Sequence, residues 1–395
     1  MSSKVFEIIA REEVRQNETI ELIASENFVS ENVRKAVGSI LTNKYTEGYP
    51  DLERTGNKGR YYGGCENYDE LEQYCCEMWQ KAFHTDYHVN VQPHAGSQAN
   101  FSAYMSVLKP GATILSMSLD NGGHLTHGSS VNFSGKLYNM VFYGVKENGY
   151  IDYEDLAKKL EEYKPDLVLA GASAYARVIE FDTIRKIIDA STTCHPYFMV
   201  DMAHIAGLGA TGEHPSPFGL ADIITTTTHK TLRGPRGGLI FCRPELAKKV
   251  DSAVFPGSQG GSLMHVIAGK AIAAEEACSP EFKTYIANVV KNCNVMCNEF
   301  LKMGYHVVTG GTDNHLFLLD FSETHPNLTG RMLQEELDRH HITANKNCVP
   351  SDKRSPKETS GLRIGTAAMT TKGYTAEDFI KAAHKIDEII RAMDL

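Results

Sequence analysis

Five short apolar runs constrain this chain more than anything else in it: "GATILSM" (111–117), "PDLVLAG" (165–171), "PYFMVDMAH" (196–204), "ADIITTTTH" (221–229) and "GGLIFC" (237–242). They do not alternate apolar with polar residues, as a strand with one wet face would. Strands apolar at successive positions are buried on both faces, the habit of a mostly parallel sheet covered by its own crossovers. Helix-like stretches between them, such as "ENYDELEQYCCEMWQKAF" (66–83), complete an α/β pattern. A long helical stretch at 263–303 follows. "YHVVTGGTDNHLFLLDF" and "GLRIGTAAM" then return to strand character, and a last helix is expected over 376–393. That tail predicts a smaller α+β domain. The expected division is an N-terminal helical arm (1–40), a large domain (41–275) and a small C-terminal domain (276–395).

Such a sheet binds ligands outside the carboxyl ends of its strands. In "TTTTHKTLRGPRGG" (225–238) a β-branched run delivers Lys230 to that edge. An amine there can form a Schiff base with pyridoxal phosphate; the plainer reading is a solvated lysine at a strand end. Asp201 closes the run "YFMVD", with His204 three residues on. Its carboxylate could keep a pyridine nitrogen protonated, or it could cap the next helix. Gly96 and Ser97 open a segment of helical spacing, "GSQANFSAYMSVL", and a helix start with small residues suits a phosphate. His124 and His127 in "GGHLTHG" could suggest zinc, but no third ligand is near in sequence, and an imidazole stacked on a cofactor ring is as economical. Glu47, Tyr61 and Tyr62 belong to a Tyr/Gly-rich loop that reads as a ligand or subunit contact, or as buried tyrosines. Arg363, inside the apolar "SGLRIGTAAM", needs a carboxylate partner, either the protein's or a substrate's.

Other classes are disfavoured. "GLGATG" (207–212) matches the dinucleotide fingerprint, but Pro215 and Pro217 follow where a helix should. The net charge of −9 and pI near 6.0 argue against nucleic acid or anionic membrane as the main partner. Nine cysteines without framework spacing suggest reduced thiols, and no ligand grouping predicts a metal. With no apolar h-region at the start and no run of about 18 apolar residues, a cytoplasmic location is expected.

The motifs "ELIASEN", "NKYTEGYP", "RYYGGCE", "NVQPHAGSQAN", "GGHLTHG", "VDMAHIAGL", "TTTTHKTLRGPRGG", "VFPGSQGG" and "SGLRIGT" go further together. Carrying them, the chain resembles the serine hydroxymethyltransferase family over nearly its whole length. The resemblance implies the aspartate-aminotransferase-like fold of pyridoxal-phosphate enzymes and a homodimer, or a tetramer, with shared active sites. It implies interconversion of serine and glycine with tetrahydrofolate as co-substrate. By the same resemblance Lys230 would bind the cofactor aldehyde, Asp201 its ring nitrogen, and His124 would stack on the ring. His204 and Ser173 would meet its phenolic oxygen. Gly96 and Ser97, with Tyr45 and Gly261 of the other subunit, would hold its phosphate. Arg363 and Ser25 would orient the substrate carboxylate, with Tyr62, His229 and Arg236 nearby. Thr227 would lie beside Lys230, and Glu47 would serve proton transfer at the hydroxymethyl group. Leu119, Gly123, Leu125, Asn347 and Tyr61 would line the folate site. The nearest rival is a folate-independent aldolase of β-hydroxy amino acids, which shares the cofactor residues; a cofactor-bearing scaffold without catalysis is a more distant one. Three positions depart from the family pattern: nine residues, "DLERTGNKG", separate Pro50 from Arg60, and Ser262 and Ala176 each replace a proline.

Overall fold

In chain order the strands are β1 (Ile20–Glu21), β2 (His88–Asn90), β3 (Thr113–Met117), β4 (Asn139–Tyr143), β5 (Leu167–Ala170), β6 (Tyr197–Asp201), β7 (Ile223–Thr227), β8 (Gly238–Cys242), β9 (His306–Val307), β10 (Leu316–Asp320), β11 (Ile342–Thr343), β12 (Asn345–Asn347) and β13 (Gly361–Gly365). They come from a computed structural model that describes residues 3–50 and 59–393. Each of the five apolar runs contains a strand of one seven-stranded sheet, ordered β2-β8-β7-β6-β5-β3-β4. β3 to β7 run parallel, β8 is antiparallel to β7, and β2 is antiparallel to β8. Two strands carry no continuous apolar signal. β4 is an edge strand with one exposed and three half-buried positions, and β2 has only three residues.

Burial on both faces is visible along β5. Leu167 and Leu169 enter one core with Tyr104, Ile114, Met199 and Ile240. Val168 and Ala170 enter the other, with Trp79, Phe181, Phe198 and Phe241. Every residue of β5, β7 and β8 is buried. At about 1.5–3 kcal/mol per buried large apolar side chain, this sheet is a rigid platform whose carboxyl edge can hold polar groups in place.

A four-stranded antiparallel sheet, β12-β13-β10-β9, builds a second core around Phe300, Phe317, Phe321, Leu337 and Phe379. Leu22 belongs to it, next to the parallel pair β1–β11, so the N-terminal segment joins the C-terminal layer. The stretch 263–303 is two helices, Met264–Ala277 and Pro280–Lys302. The break is written as Ser-Pro: Ser279 caps the second helix by accepting from Phe282 N, and proline takes the first helical position. That second helix links both cores, giving Phe282, Ile286 and Val289 to the first and Met296 and Phe300 to the second. The first helix, Lys4–Glu18, buries none of its residues, with Val5, Phe6, Ile8 and Ile9 all exposed.

"GLGATG" lies largely within the helix Ala206–Thr211, which ends on left-handed Gly212; its glycines do not turn the chain into a helix, and no dinucleotide cup forms. The extra residues after Pro50 fall, at 51–58, outside the described residues. Their feet are within them: Gly48 and Arg60 form an antiparallel bridge, and Tyr61 N donates to Glu47 O at 3.0 Å. The buried Arg60 guanidinium pairs with Asp69 (2.7 Å) and Glu72 (2.6 Å) and donates to the Thr46 and Gly48 carbonyls. Ser262 brings a hydroxyl within 2.7 Å of Thr46 Oγ1. Among the described residues no helix is long and apolar enough to cross a membrane.

Candidate active site

A cavity of about 390 Å³ opens at the carboxyl ends of β5, β6 and β7, with Ser25, Glu26 and Arg363 of the C-terminal layer on its far wall. Lys230 enters it three residues past β7, in a bend. Its Nζ donates to Thr227 Oγ1 at 3.1 Å, and the side chain is almost wholly buried. Burial lowers its pKa to about 8, against the pull of Asp201 to raise it and with help from Arg363 and Arg236. At neutral pH a useful fraction of this amine is therefore unprotonated and nucleophilic. Asn27 fixes the backbone here, its Nδ2 donating to both Lys230 O and Tyr285 Oη.

Asp201, at the end of β6, does not cap the following helix, which starts at Ala206 with Ile205 as its cap. Its Oδ2 accepts from Asn100 Nδ2 (2.9 Å) and faces His127 Nε2 (3.1 Å). His124 N donates to His127 Nδ1, so the His127 proton sits on Nε2 and points at the carboxylate. Burial works to raise the Asp201 pKa, but the hydrogen bonds from His127 and Asn100 hold it well below the usual carboxylate range. This is a carboxylate built to stay ionised. Sequence distance hid a third group near the two histidines. His124, His127 and Asp201 bring their polar atoms within 4.8 Å of one another, and His127 and Asp201 spend theirs on each other. His124 is held neutral, its pKa lowered to about 4 by burial and the neighbouring His127.

Arg363, on β13, is buried with its Nη1 donating to Ser173 O (2.6 Å) and Nε to Asn345 Oδ1 (3.1 Å). Among the described residues no carboxylate pairs with it, and burial lowers its pKa to about 10. A desolvated, unanswered guanidinium is an anion site. Beside it His204 lines the cavity and is kept neutral, foremost by burial and then by Lys230 and Arg363. His229 also lines it, its pKa lowered to about 3 by burial and Lys230, while Arg236 closes the wall and is itself exposed.

The helix Gly96–Val107 points its N-terminus at the cavity. Its cap residue, Ala95, offers no side-chain acceptor, so the first N–H groups of Gly96 and Ser97 remain for a ligand. Gly96 must be glycine: a Cβ there would stand 2.6 Å from Thr227 Cγ2. The donor set therefore fits pyridoxal phosphate, with N–H groups for the phosphate, an amine for the aldehyde and a carboxylate for the ring nitrogen.

Other expected residues lie elsewhere on the chain. Tyr45, Glu47 and Gly261 cluster, with Tyr45 and Tyr62 rings 5.4 Å apart, but none of the four lines this cavity. Tyr61 packs edge-on against Phe255 and is 74% exposed. Leu119 and Leu125 are exposed on the loop before His127, and Asn347 sits half-buried on β12. Gly123 on that loop has no room for a side chain, since a Cβ would meet Met117 O at 2.2 Å. Sequence reading missed Asn100, Asn27 and Asn345, which hold Asp201, Lys230 and Arg363. It also missed His315, which touches His204. Nothing local marks them.

Comparison with known proteins agrees with this geometry. The sequence profile of the family described as "Serine hydroxymethyltransferase" matches residues 1–386. A curated relative, "Serine hydroxymethyltransferase" of Baumannia cicadellinicola subsp. Homalodisca coagulata, is 53% identical over 389 residues, covering 98% of this chain and 90% of its own. The chain therefore belongs to the serine hydroxymethyltransferase family, the pyridoxal-phosphate-dependent one-carbon transferases that move a hydroxymethyl carbon between serine and tetrahydrofolate.

Proposed function

We propose that the cavity around Lys230 is the centre of that reaction and that its residues divide the work as follows. The observation that carries this reading is the buried Arg363 guanidinium, with no carboxylate partner among the described residues, on the same cavity as the Lys230 amine and the Asp201 carboxylate. Lys230 would hold the cofactor through its aldehyde, Gly96 and Ser97 through its phosphate, and Asp201 through its protonated ring nitrogen, with His124 against the ring and His204 and Ser173 beside its hydroxyl. Bound there, pyridoxal phosphate supplies an electron-withdrawing ring for the bond to be broken at the substrate Cα. Arg363, with Ser25, His229 and Arg236 close by, binds the carboxylate of serine or glycine and so sets which Cα bond faces that ring. A misplaced bond gains nothing from the withdrawal, so this positioning supplies much of the rate.

The cluster of exposed Tyr45 and Tyr62 with half-buried Glu47 and Gly261 supports a homodimer in which it completes the cavity of a second copy; Glu47 then moves a proton at the hydroxymethyl oxygen. Leu119, Gly123, Leu125, Asn347 and Tyr61 would form the folate wall. The two cores support a large domain near 41–275 and a small one near 276–395; within the expected arm, 1–40, Leu22 and Val33 are buried in those cores, which leaves the helix Lys4–Glu18 as the arm. We place the protein in the cytoplasm.

The test is visible spectroscopy of the cofactor-loaded protein with glycine, then with tetrahydrofolate. A long-wavelength band that grows sharply on adding folate is expected, and Lys230→Ala should remove the lysine-linked absorbance from the start. A glycine spectrum indifferent to folate would refute the assigned folate wall, and lysine-linked absorbance surviving in Lys230→Ala would refute the role of Lys230.

A further inference from the structure

Residues 91–95 lead from β2 into the helix Gly96–Val107, and the two sides of this stretch are held in different ways. On the β8 side Pro93 O accepts from Gly238 N at 3.0 Å, and the buried Lys270 Nζ donates to Val91 O, Pro93 O and Gly238 O. The backbones touch there, since a Cβ on Gly238 would stand 2.6 Å from Ala95 O. On the other side β2 is the edge of its sheet, and among the described residues no strand flanks it. One side chain takes that place. Gln259 Nε2 donates to Gln92 O and Gln259 Oε1 accepts from His94 N, each at 3.0 Å. A carbonyl and an N–H two residues apart, bonded to one donor–acceptor unit, are what a parallel neighbour would satisfy.

The direction of this carboxamide is decided by its partners. His94 N–H can only donate and Gln92 O can only accept, so Oε1 faces the first and Nε2 the second. Gln259 is itself anchored, its N donating to Val254 O at 2.9 Å. The neighbouring Ser258 hydroxyl gives its proton to Ala253 O at 2.8 Å, so it accepts from Ser102 Oγ, 2.7 Å away. Ser102 belongs to the helix that Gly96 and Ser97 open. The turn at 258–259 is therefore tied both to that helix and to the stretch that leads into it.

What depends on this bracket is the aim of two N–H groups. Only Ala95 separates His94 from Gly96. The helix closes its first bond from Ala99 N to Ala95 O at 3.0 Å, which leaves the Gly96 and Ser97 N–H groups ahead of it. Without the Gln259 carboxamide, Gln92 O and His94 N would lose the partners that hold this side, and the approach to Gly96 would be fixed along β8 alone.

We infer that Gln259 is a positioning residue for phosphate binding: resting on the phosphate assignment proposed above, its side-chain amide holds residues 92–94 so that the Gly96 and Ser97 N–H groups converge on one anion. The test compares equilibrium binding of pyridoxal phosphate and of pyridoxal, which lacks the phosphate, to cofactor-free protein. Both offer Lys230 the same aldehyde, so absorbance follows both. Gln259→Met keeps the stem and loses both bonds. It should weaken pyridoxal phosphate by about 10- to 150-fold, the scale of one hydrogen bond to a charged group, and pyridoxal by less than about threefold. Gln259→Asn draws the carboxamide back by about 1.5 Å, out of reach of both partners, and should give the same split; it decides the matter if the methionine variant folds poorly. An unchanged preference for pyridoxal phosphate over pyridoxal in these variants overturns the inference. So does equal weakening of the two ligands, whatever happens to the melting temperature, because Gln259 is then merely structural. If the unaltered protein binds both ligands alike, the phosphate assignment at Gly96 and Ser97 fails and takes the inference with it; a preference present in the unaltered protein and kept in both variants sinks the role of Gln259 alone.

Discussion

Replacing Arg363 by methionine separates what the guanidinium does for the substrate from what it does for the fold. Methionine keeps the unbranched stem and much of the volume but removes the charge and both donors. In the folded, ligand-free chain the charge is a liability: burial takes the pKa from 12.5 to about 10, which converts to about 3 kcal/mol of desolvation at 1.36 kcal/mol per unit. The sign follows from the direction. A cation whose folded pKa is lowered costs stability at every pH below about 10, hence throughout the neutral range. Against this stand two hydrogen bonds, to Ser173 O and Asn345 Oδ1, worth about 1.5–3 kcal/mol each because the donor is charged. The terms largely offset, so Arg363→Met should lower unfolding stability by at most about 3 kcal/mol, read by calorimetry of the loaded protein without substrate. Serine binding should suffer far more. Removing one partner of a buried, hydrogen-bonded ion pair costs about 2–5 kcal/mol, or about 30- to 4,000-fold. Steady-state kcat/KM for serine should fall by that factor, and serine should no longer raise the melting temperature. A serine KM within about threefold of the unaltered protein, below the low end of that range, would refute the assignment. So would a large loss of stability in the absence of substrate, because the guanidinium would then be a structural part.

Two further perturbations test neighbouring assignments. Asp201→Asn keeps the shape but not the charge that holds a ring proton, and should lower kcat by about 10²–10³-fold, the scale of one lost electrostatic partner at a reacting centre; His127→Gln should cause a smaller drop of about tenfold or more, through loss of one charge-assisted hydrogen bond. A drop in His127→Gln equal to that in Asp201→Asn would mean that His127 acts directly. Outside the cavity lining, burial pushes the Glu21 carboxyl up to about 7 despite its bonds to Thr343 and Ile23 N. Its protonated form is favoured in the fold, so stability falls as pH rises from the unfolded value of 4.5 through about 7. Glu21→Gln should flatten that fall and add up to about 3 kcal/mol above pH 7 in denaturant titrations; an unchanged pH profile would locate the effect elsewhere.

Where a residue and its signal sit in the same short stretch, the sequence could be read directly. Lys230 and Asp201 each end an apolar run, so their place at the sheet's carboxyl edge follows from the run itself. Arg363 stands out because a cation is rare within an apolar strand. The residues that hold these three in place send no such signal. Asn100 meets Asp201 from 101 positions away, His127 from 74, and His315 meets His204 from 111. Their roles exist only after the sheet has brought distant loops together. β4 went unseen because an edge strand buries too little for a continuous apolar run, and 263–303 read as one helix because the apolar spacing continues past Ser279-Pro280. Tyr45, Glu47, Tyr62 and Gly261 were legible as residues but not as parts of this cavity, since a single chain does not bring them to it.

The bridge between Gly48 and Arg60 ties the chain together on either side of the insertion after Pro50. Both feet are tied by backbone pairing and by one guanidinium locked to Asp69 and Glu72. The entropy of closing a flexible loop grows only with the logarithm of its length, about 0.6 kcal/mol for each doubling. Because the two feet are held by their own pairing, with Tyr61 N on Glu47 O at 3.0 Å, Glu47 and Tyr61 keep their spacing whatever number of residues is written between them. The chain has here a docking port for new sequence, one on which natural drift or a designer could graft a recognition element next to the proposed shared site without disturbing the Gly48–Arg60 bridge.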